Sequence, residues 1–427
     1  YSYYPYGSFG GMQKLTNLKR MVELAEGNPT SSSFQGLALF MKAWSGLAMT
    51  LDMGDVPYSE AGMAEEGNLT PKYDKQADVF VEILDDLKSA EALFANGKSF
   101  GGDIMFDGNP AKWRRLCNAM QLKMLQTISK HISSEQKTRF AQIVASGNLL
   151  TASDNFQLAY TDNTNASHPF FNGENRRVVT APSDMVVDFL KANHDRRLFY
   201  FGEPAAEKIS EGLSESDYEA YVGAPTDLAA DQLALNRAGG QYSLINKRYV
   251  ATRAGDPMLQ FTYAEQCFII AEAIEEGWVP GSAQEYYENG VRSILKYYMT
   301  LSSALPGNLH GMAITQDYID NYFTGEAAYK TAGTKEDRLE QIITQRWLLD
   351  FFQGNSLFSY KTFLRTGYPQ FPLNPATSLN PESPSEFPKR WKYPTSELTT
   401  NAGNYNKAIQ EQFGGFDGIN KAAWWLQ

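Results

Sequence analysis

Aromatic rings set in polar loops are the residues of this 427-residue chain with the clearest chemical use. Tyr4 and Tyr6 sit in the opening YSYYPYGSF, and Tyr160 closes NFQLAY. Phe170, Phe171, Asn172 and Arg176 stand together in HPFFNGENRR, Tyr242 follows a glycine pair, and Trp391 and Tyr393 lie in KRWKYP. A flat ring can cover the apolar C–H face of a pyranose while neighbouring amides and charges take its hydroxyls. We therefore expect a glycan-binding set of Tyr4, Tyr6, Tyr160, Phe170, Phe171, Asn172, Arg176 and Tyr242. For any one of these rings the plainer role is a staple from loop to core, with its polar tip satisfied. As a set they favour ligand binding.

Catalytic chemistry has no comparable support. The chain holds no G-x-S-x-G elbow, no G-x-x-x-x-G-K-[ST] phosphate loop and no H-E-x-x-H zinc pair. Its four histidines, His131, His168, His194 and His310, are scattered, and none stands four residues from another. Asp162, Asn163 and Asn165 offer oxygens to a Ca²⁺ but lack the glycine and closing glutamate of an EF-hand loop. The glycine-rich stretches 101–108 and 413–418 have no strand–helix frame to cradle a phosphate and read as turns. A glycosidase would need two carboxylates facing across a cleft, and no spacing singles out such a pair. The expectation is a binding protein, not an enzyme, with no cofactor and no metal.

Composition narrows the partners. With 38 basic and 49 acidic residues the net charge is −11, and no basic stripe is present to meet nucleic-acid phosphates. No uncharged apolar run approaches the roughly 18 residues of a membrane helix. Cys117 and Cys267 each lie inside a helical pattern and read as buried free thiols, neither a disulfide nor a metal site. The chain opens at Tyr1 without a methionine or signal peptide, as expected of a processed or trimmed start with its secretion signal removed.

The elements that must position the rings are mostly helical. Phe80, Ile83, Leu84, Leu87, Ala90 and Phe94 fall at three- and four-residue steps, one face of an α-helix. Trp113, Leu116, Met120, Met124 and Ile128 repeat that stripe after Pro110, as do Leu339, Ile342, Ile343, Trp347 and Phe351. Residues 262–298 read as helix, short turn and second helix, with small and aromatic residues where the two must pack closely, which resembles a tetratricopeptide (TPR) hairpin. The fold class expected is mainly α with minor β: irregular TPR-like hairpins at about 34–95, 110–147, 260–300 and 315–353. Long loops are expected at 151–182, 202–258 and 367–394, the last holding seven of the nineteen prolines. The best strand candidates are VVTAP near 178 and YSLINKRYV near 242, with a strand pair around Gly239–Gly240.

Four stretches resemble the SusD/RagB family, and more particularly its SusD-like second subgroup. They are the helix ending in Gly54-Asp55-Val56-Pro57-Tyr58, the hairpin Tyr263–Tyr298, the segment 343–369 closing on Arg365-Thr366-Gly367-Tyr368-Pro369, and the segment 387–409 carrying Arg390, Tyr393, Pro394, Glu397 and Asn401. In this order they span about 370 residues. Physically these motifs read as scaffold: Gly54 can take a positive φ and stop its helix, Pro57 fixes the exit, and Asn401 and Asn404 suit caps or tight turns.

The resemblance implies a single SusD/RagB-like domain over residues 1–427, an α–α superhelix of the SusD type. It also implies a cell-surface lipoprotein of the outer membrane that binds oligosaccharide or polysaccharide and delivers it to a SusC-like TonB-dependent transporter. Membrane attachment would be only through a lipid anchor, on a cysteine that is not in this sequence, and the family carries more chain ahead of its first Gly-Asp-Val-Pro-Tyr helix. The other reading the family keeps open is a RagB-like one, in which TPR grooves bind peptide or a protein partner and sugar binding is minor or absent.

Overall fold

The computed structural model describes residues 5–171, 178–304, 308–353 and 356–427. Tyr4, Asn172 and Arg176 lie outside the described residues. The chain divides into two compact units: unit 1 is Tyr1–Asp154, Lys361–Gly367 and Ser378–Gln427, and unit 2 is Asn155–Tyr360 and Tyr368–Thr377. Each is built mainly of helices, so the expected fold class is met.

Unit 1 opens with helices α1 (Leu15–Leu24), α2 (Ser31–Met53), α3 (Gln76–Ala95), α4 (Pro110–Thr127) and α5 (Ser134–Ala145). Successive helices pack on one another from α1 to α5. The apolar stripe of α3 is buried throughout, as is that of α4 from Trp113 to Ile128. Their starts are set locally. Asn109 accepts from the backbone of Ala111 at 3.0 Å just ahead of Pro110, and Ser133 with Gln136 forms a capping box ahead of α5. Helix α2 stops at Gly54, whose φ of 104° is open to glycine and whose Cβ, if it had one, would lie 2.4 Å from Gln412 Oε1.

The stop at Gly54 matters because the chain's last segment closes on it. Arg390, fully buried, donates from Nε to the Met53 carbonyl at 3.0 Å and from Nη1 to the Gly418 carbonyl at 3.1 Å. It also pairs with Asp417 at 2.5 Å. Tyr393 donates its hydroxyl to the Asp55 carbonyl at 2.6 Å, and Gln412 accepts from the Asp55 backbone at 2.9 Å. Tyr393 is therefore core, 1% exposed, not a loop ring. Trp391 is half-buried, with the Lys361 ammonium 5.2 Å from its ring centroid. Asn401 stands at the expected cap, ahead of the helix Ala402–Phe413, but its side chain makes no cap bond; its amide and that of Asn404 reach the carbonyls of Pro71 and Thr70, 2.8 and 2.9 Å away, and so tie down the loop before α3.

Unit 2 is centred on the helices Asp184–Ala192, Tyr263–Glu275, Ala283–Ala304 and Lys335–Leu348. In the hairpin of the second and third of these helices Ala271 and Ala283 are buried, and Tyr287 is closed from solvent against Phe268, Phe323 and Tyr329. Gly290 lets the two helices approach, since a Cβ there would meet the Phe268 ring at 2.8 Å. Trp347 and Phe351 are half-buried against the same core. Cys117 and Cys267 are buried free thiols, and burial pushes the Cys267 thiol up to about 12.

The strands fall elsewhere than expected. Among the described residues they are β1 (Phe156–Leu158) and β2 (Met258–Phe261), antiparallel, with Phe156 opposite Phe261 and Leu158 opposite Met258 across a bulge. Val178 and Val179 are helical, and the run near 242 makes one bridge, Ile245 to Gly202, before turning into the helix Arg248–Ala251. The Gly239–Gly240 pair ends the helix Ala230–Ala238 and makes no hairpin. These runs have β-type composition but form no ladder among the described residues: Ile245 and Asn246 donate instead to single carbonyls of Thr180 and Phe201.

Asp55 gives a test of this closure. It is 6% exposed, and burial pushes its carboxyl up to about 7, against the Gln76 N–H that bonds it at 2.8 Å. The folded value exceeds the ordinary 3.8, so the protonated form is favoured; its stabilisation is full below 3.8 and is lost as pH rises toward about 7. Asp55→Asn keeps an acceptor for Gln76 and removes the titration. It should raise stability by roughly 1–3 kcal/mol at pH 8 and by much less at pH 4.5, measured by urea melts. An equal change at both pH values would mean that Asp55 titrates normally.

Candidate functional site

The loop that carries three of the six expected rings runs on from the end of β1 within unit 2 and is held where the chain returns into β2. Tyr160, two residues past β1, donates its hydroxyl toward the Met258 sulfur at 3.3 Å. Thr161 and Ala166 close the outer part of the loop by a backbone bond of 3.1 Å. The His168 backbone then donates to the Arg253 carbonyl at 2.7 Å. Loop and returning strand are thereby fastened at two points.

His168 is the anchor. Its ring is 4% exposed, and Nδ1 accepts from the Phe170 backbone at 3.1 Å, which requires that nitrogen to be unprotonated. Burial holds its pKa below the ordinary 6.5, with Asp256 acting in the opposite direction. Gly255, at φ 57°, lies under the ring; a Cβ there would sit 2.8 Å from the imidazole. The Phe171 backbone donates to the His168 carbonyl at 3.0 Å. One buried histidine thus sets the direction of both phenylalanines.

The rings form a connected set. Tyr160 meets His168 edge-on at 5.1 Å, Phe170 lies 5.2 Å from His168 and 4.4 Å from Phe352, and Phe352 lies 4.7 Å from the buried Tyr249. Phe352 adopts φ 57°, a conformation that costs a non-glycine residue about 1–3 kcal/mol. It is held there because its neighbour Gln353 accepts from the Leu259 backbone at 2.8 Å while the ring is packed between Phe170 and Tyr249. Tyr160, Phe170, Phe171 and Phe352 are half-buried. Above them, residues 161–166 present an exposed polar rim.

Charge at this rim is paired. Arg253 Nε lies 3.2 Å from the exposed Asp162 carboxylate, and its guanidinium covers the Phe171 ring at 4.9 Å. Such an exposed pair contributes little to stability, but it places one donor fork and one acceptor beside the rings. Below, Arg248 and Asp256 form a buried pair at 2.7 Å that braces the stretch carrying Arg253 and Gly255. Among the described residues no group of three or more His, Cys, Asp or Glu could hold a metal ion. Asp162 is engaged by Arg253, and Asn163 accepts from the Asn165 backbone at 2.9 Å, so these oxygens serve the loop.

The structure therefore brings together Tyr160, Phe170 and Phe171. Tyr242 is 8% exposed; its hydroxyl accepts from Asn236 at 2.8 Å. Among the described residues no hydrogen bond or ring contact joins it to the Tyr160–Phe171 loop. Tyr6 belongs to unit 1, where it is half-buried and bridges Lys392. Arg253, His168 and Phe352 were missed by sequence reasoning. The adjacent pair of phenylalanines pointed to the loop; nothing local pointed to the residues that meet it from 80 to 180 positions away.

With this geometry in view, the chain can be set beside known proteins. The SusD-like family, described as starch-binding and associating with the outer membrane, matches residues 5–394. A solved SusD homologue of Bacteroides fragilis is 37% identical, with a TM-score of 0.94, over 100% of this chain and 91% of its own. A Bacteroides vulgatus structure, described as a candidate outer membrane protein for nutrient binding, is 31% identical with a TM-score of 0.88, over 99% of this chain and 91% of its own. A chitin-binding protein is 29% identical with a TM-score of 0.78, over 97% and 85%. Among curated proteins none matches. No helix among the described residues is long and apolar enough to cross a membrane. A family pattern running from residue 5 to residue 394, and a relative alike over the whole chain, lead to one conclusion: this chain belongs to the SusD-like family.

Proposed function

We propose that this protein is a non-catalytic glycan-binding subunit at the outer membrane. It captures oligosaccharides at the Tyr160–Phe170–Phe171 platform of unit 2 and passes them to a SusC-like TonB-dependent transporter, held at the cell surface by a lipid anchor. The observation that carries the reading is the braced loop: three half-buried rings beside an Arg253–Asp162 pair, on a base of buried His168 and Arg248 and half-buried Gly255. The rings supply an apolar face for a pyranose, and the rim supplies donors and acceptors for its hydroxyls. Because the two charges at the rim offset each other, the platform suits a neutral sugar. The family's starch-binding description and the chitin-binding relative support the same class of ligand.

Binding is expected to be modest, because solvent-facing sugar contacts displace ordered water for small net gain. Calorimetric titration with soluble plant, host and microbial polysaccharides should yield one glycan class. Phe170→Ala combined with Phe171→Ala should weaken it roughly tenfold or more, at about 0.5–1.5 kcal/mol per ring contact, while melting changes by a few degrees. Collapse of the melting temperature would make the two rings core. Absence of any polysaccharide ligand would turn the reading toward the peptide-binding branch of the family.

His168 gives the platform a pH dependence of fixed sign. Its folded pKa lies below 6.5, so its contribution is fully present above 6.5 and is lost as pH falls toward the folded value. Proton NMR of the imidazole should show a midpoint below 6.5, and affinity for the glycan should fall between pH 7 and pH 5. His168→Asn, which retains an acceptor, should flatten that dependence. A midpoint at or above 6.5 would contradict the anchor role.

A further inference from the structure

Unit 1 contains a concave surface of different chemistry, lined by α3, α4, α5 and the turn that follows. It is an open depression of about 250 Å³, room for about one sugar ring. Three cations line it, Lys88, Arg114 and Arg139, against one carboxylate, Glu91. Glu91 is already taken, since Arg114 Nε donates to it at 2.5 Å and the Asn148 amide approaches at 3.4 Å. The surplus charge falls on Arg139 and Lys88.

Arg139 is held but not neutralised. Its Nη2 donates to the Leu84 carbonyl at 3.1 Å and to Gln121 Oε1 at 2.6 Å, both uncharged. Among the described residues no carboxylate forms a salt bridge with it. Burial lowers its pKa, and Asp85 opposes this only through its field. Gln121 is in turn fixed by Asn118, whose amide donates to the Asn148 carbonyl at 2.9 Å. A relay of carboxamides across α4 therefore orients a half-buried guanidinium toward a cavity, in a chain whose net charge is −11. A guanidinium fork is matched to a carboxylate, and such a bond is about twice as strong as a neutral one.

We propose that this depression binds an acidic sugar unit, a hexuronate, with Arg139 pairing its carboxylate, Lys88 adding charge at the mouth, and Gln142 and Ser146 meeting ring hydroxyls. The lining favours a sugar over a peptide terminus because, Ile143 apart, every side chain that lines it ends in a polar or charged group, while the stems of those side chains offer apolar surface to a ring's C–H face. The site is independent of the platform in unit 2, where Arg253 and Asp162 neutralise each other.

The test is titration of the full chain with sodium glucuronate and sodium galacturonate, followed by NMR or calorimetry, with glucose and acetate as controls. Uronate should saturate in roughly the millimolar range. Arg139→Gln should weaken it about tenfold or more, and Lys88→Gln several-fold. Added salt should weaken it too, and the Phe170→Ala/Phe171→Ala variant should leave it unchanged. Lys88 is exposed, so its substitution reads the site even if the Arg139 variant fails to fold. The proposal is overturned if the unaltered chain binds no uronate, if glucose or acetate binds as well as glucuronate, or if neither cation substitution moves the affinity.

Discussion

A guanidinium taken out of water costs several kcal/mol unless it is paired and hydrogen-bonded, and much of this structure is arranged around three buried ones that each meet a carboxylate, although one nitrogen of each makes no hydrogen bond among the described residues. In unit 1 the ion is Arg390, whose fork collects the carbonyls of Met53 and Gly418 and the carboxylate of Asp417, with the rings of Tyr393 and Phe413 against it at 5.0 and 4.3 Å. In unit 2 it is Arg197, paired with Asp195 at 2.6 Å and further held by Gln345, and Arg248, paired with Asp256. Replacing such groups with apolar residues is often neutral or stabilising, so their contribution is geometric. Helices place themselves by their stripes; long irregular segments have no stripe, and a fixed fork with fixed acceptors gives each of them a single position.

The binding platform inherits its order from that arrangement. Arg248 and Asp256 hold the stretch that offers the Arg253 carbonyl to His168 and puts Gly255 beneath its ring, and His168 in turn aims Phe170 and Phe171. Each step is a contact of a buried group, so rings that sit on a surface loop are set before any ligand arrives. For a weak, shallow sugar site that matters, because ordering two flexible aromatic side chains on binding would consume much of the available affinity.

How much of this was legible depended on the range of the interaction. The stripes of α3 and α4 are local, and the buried positions match the three- and four-residue steps from Phe80 to Phe94 and from Trp113 to Ile128. The Gly54–Tyr58 turn and the Arg390–Asn401 segment were recognisable because tight closure restricts their residue types, although their mutual contact was not visible in either. Tyr393 and Tyr242 show the limit. A ring between polar residues looks the same whether Asp55 or Asn236 waits above its hydroxyl or water does. The strands fall elsewhere for a related reason: three residues of β1 and four of β2 are too short for alternation to stand out, whereas the β-rich composition near 178 and 242 forms no ladder among the described residues. Arg253 and Phe352 converge on the platform from distant stretches of sequence, and no local pattern marks them.

The way unit 1 is threaded bears on how the chain folds. Its core is made from residues at both ends of the sequence: the backbone of Trp425 donates to Gln76 at 3.1 Å, and the Phe80 and Trp424 rings lie 5.8 Å apart. Nearly all of unit 2 is one continuous stretch, Asn155–Tyr360. During synthesis from the N-terminus, unit 2 can complete its core while unit 1 is still missing the residues that seal α2 and α3. The residues of unit 1 ahead of Asn155 then gain their last contacts only after more than 200 others have emerged, in one late step of high sequence separation.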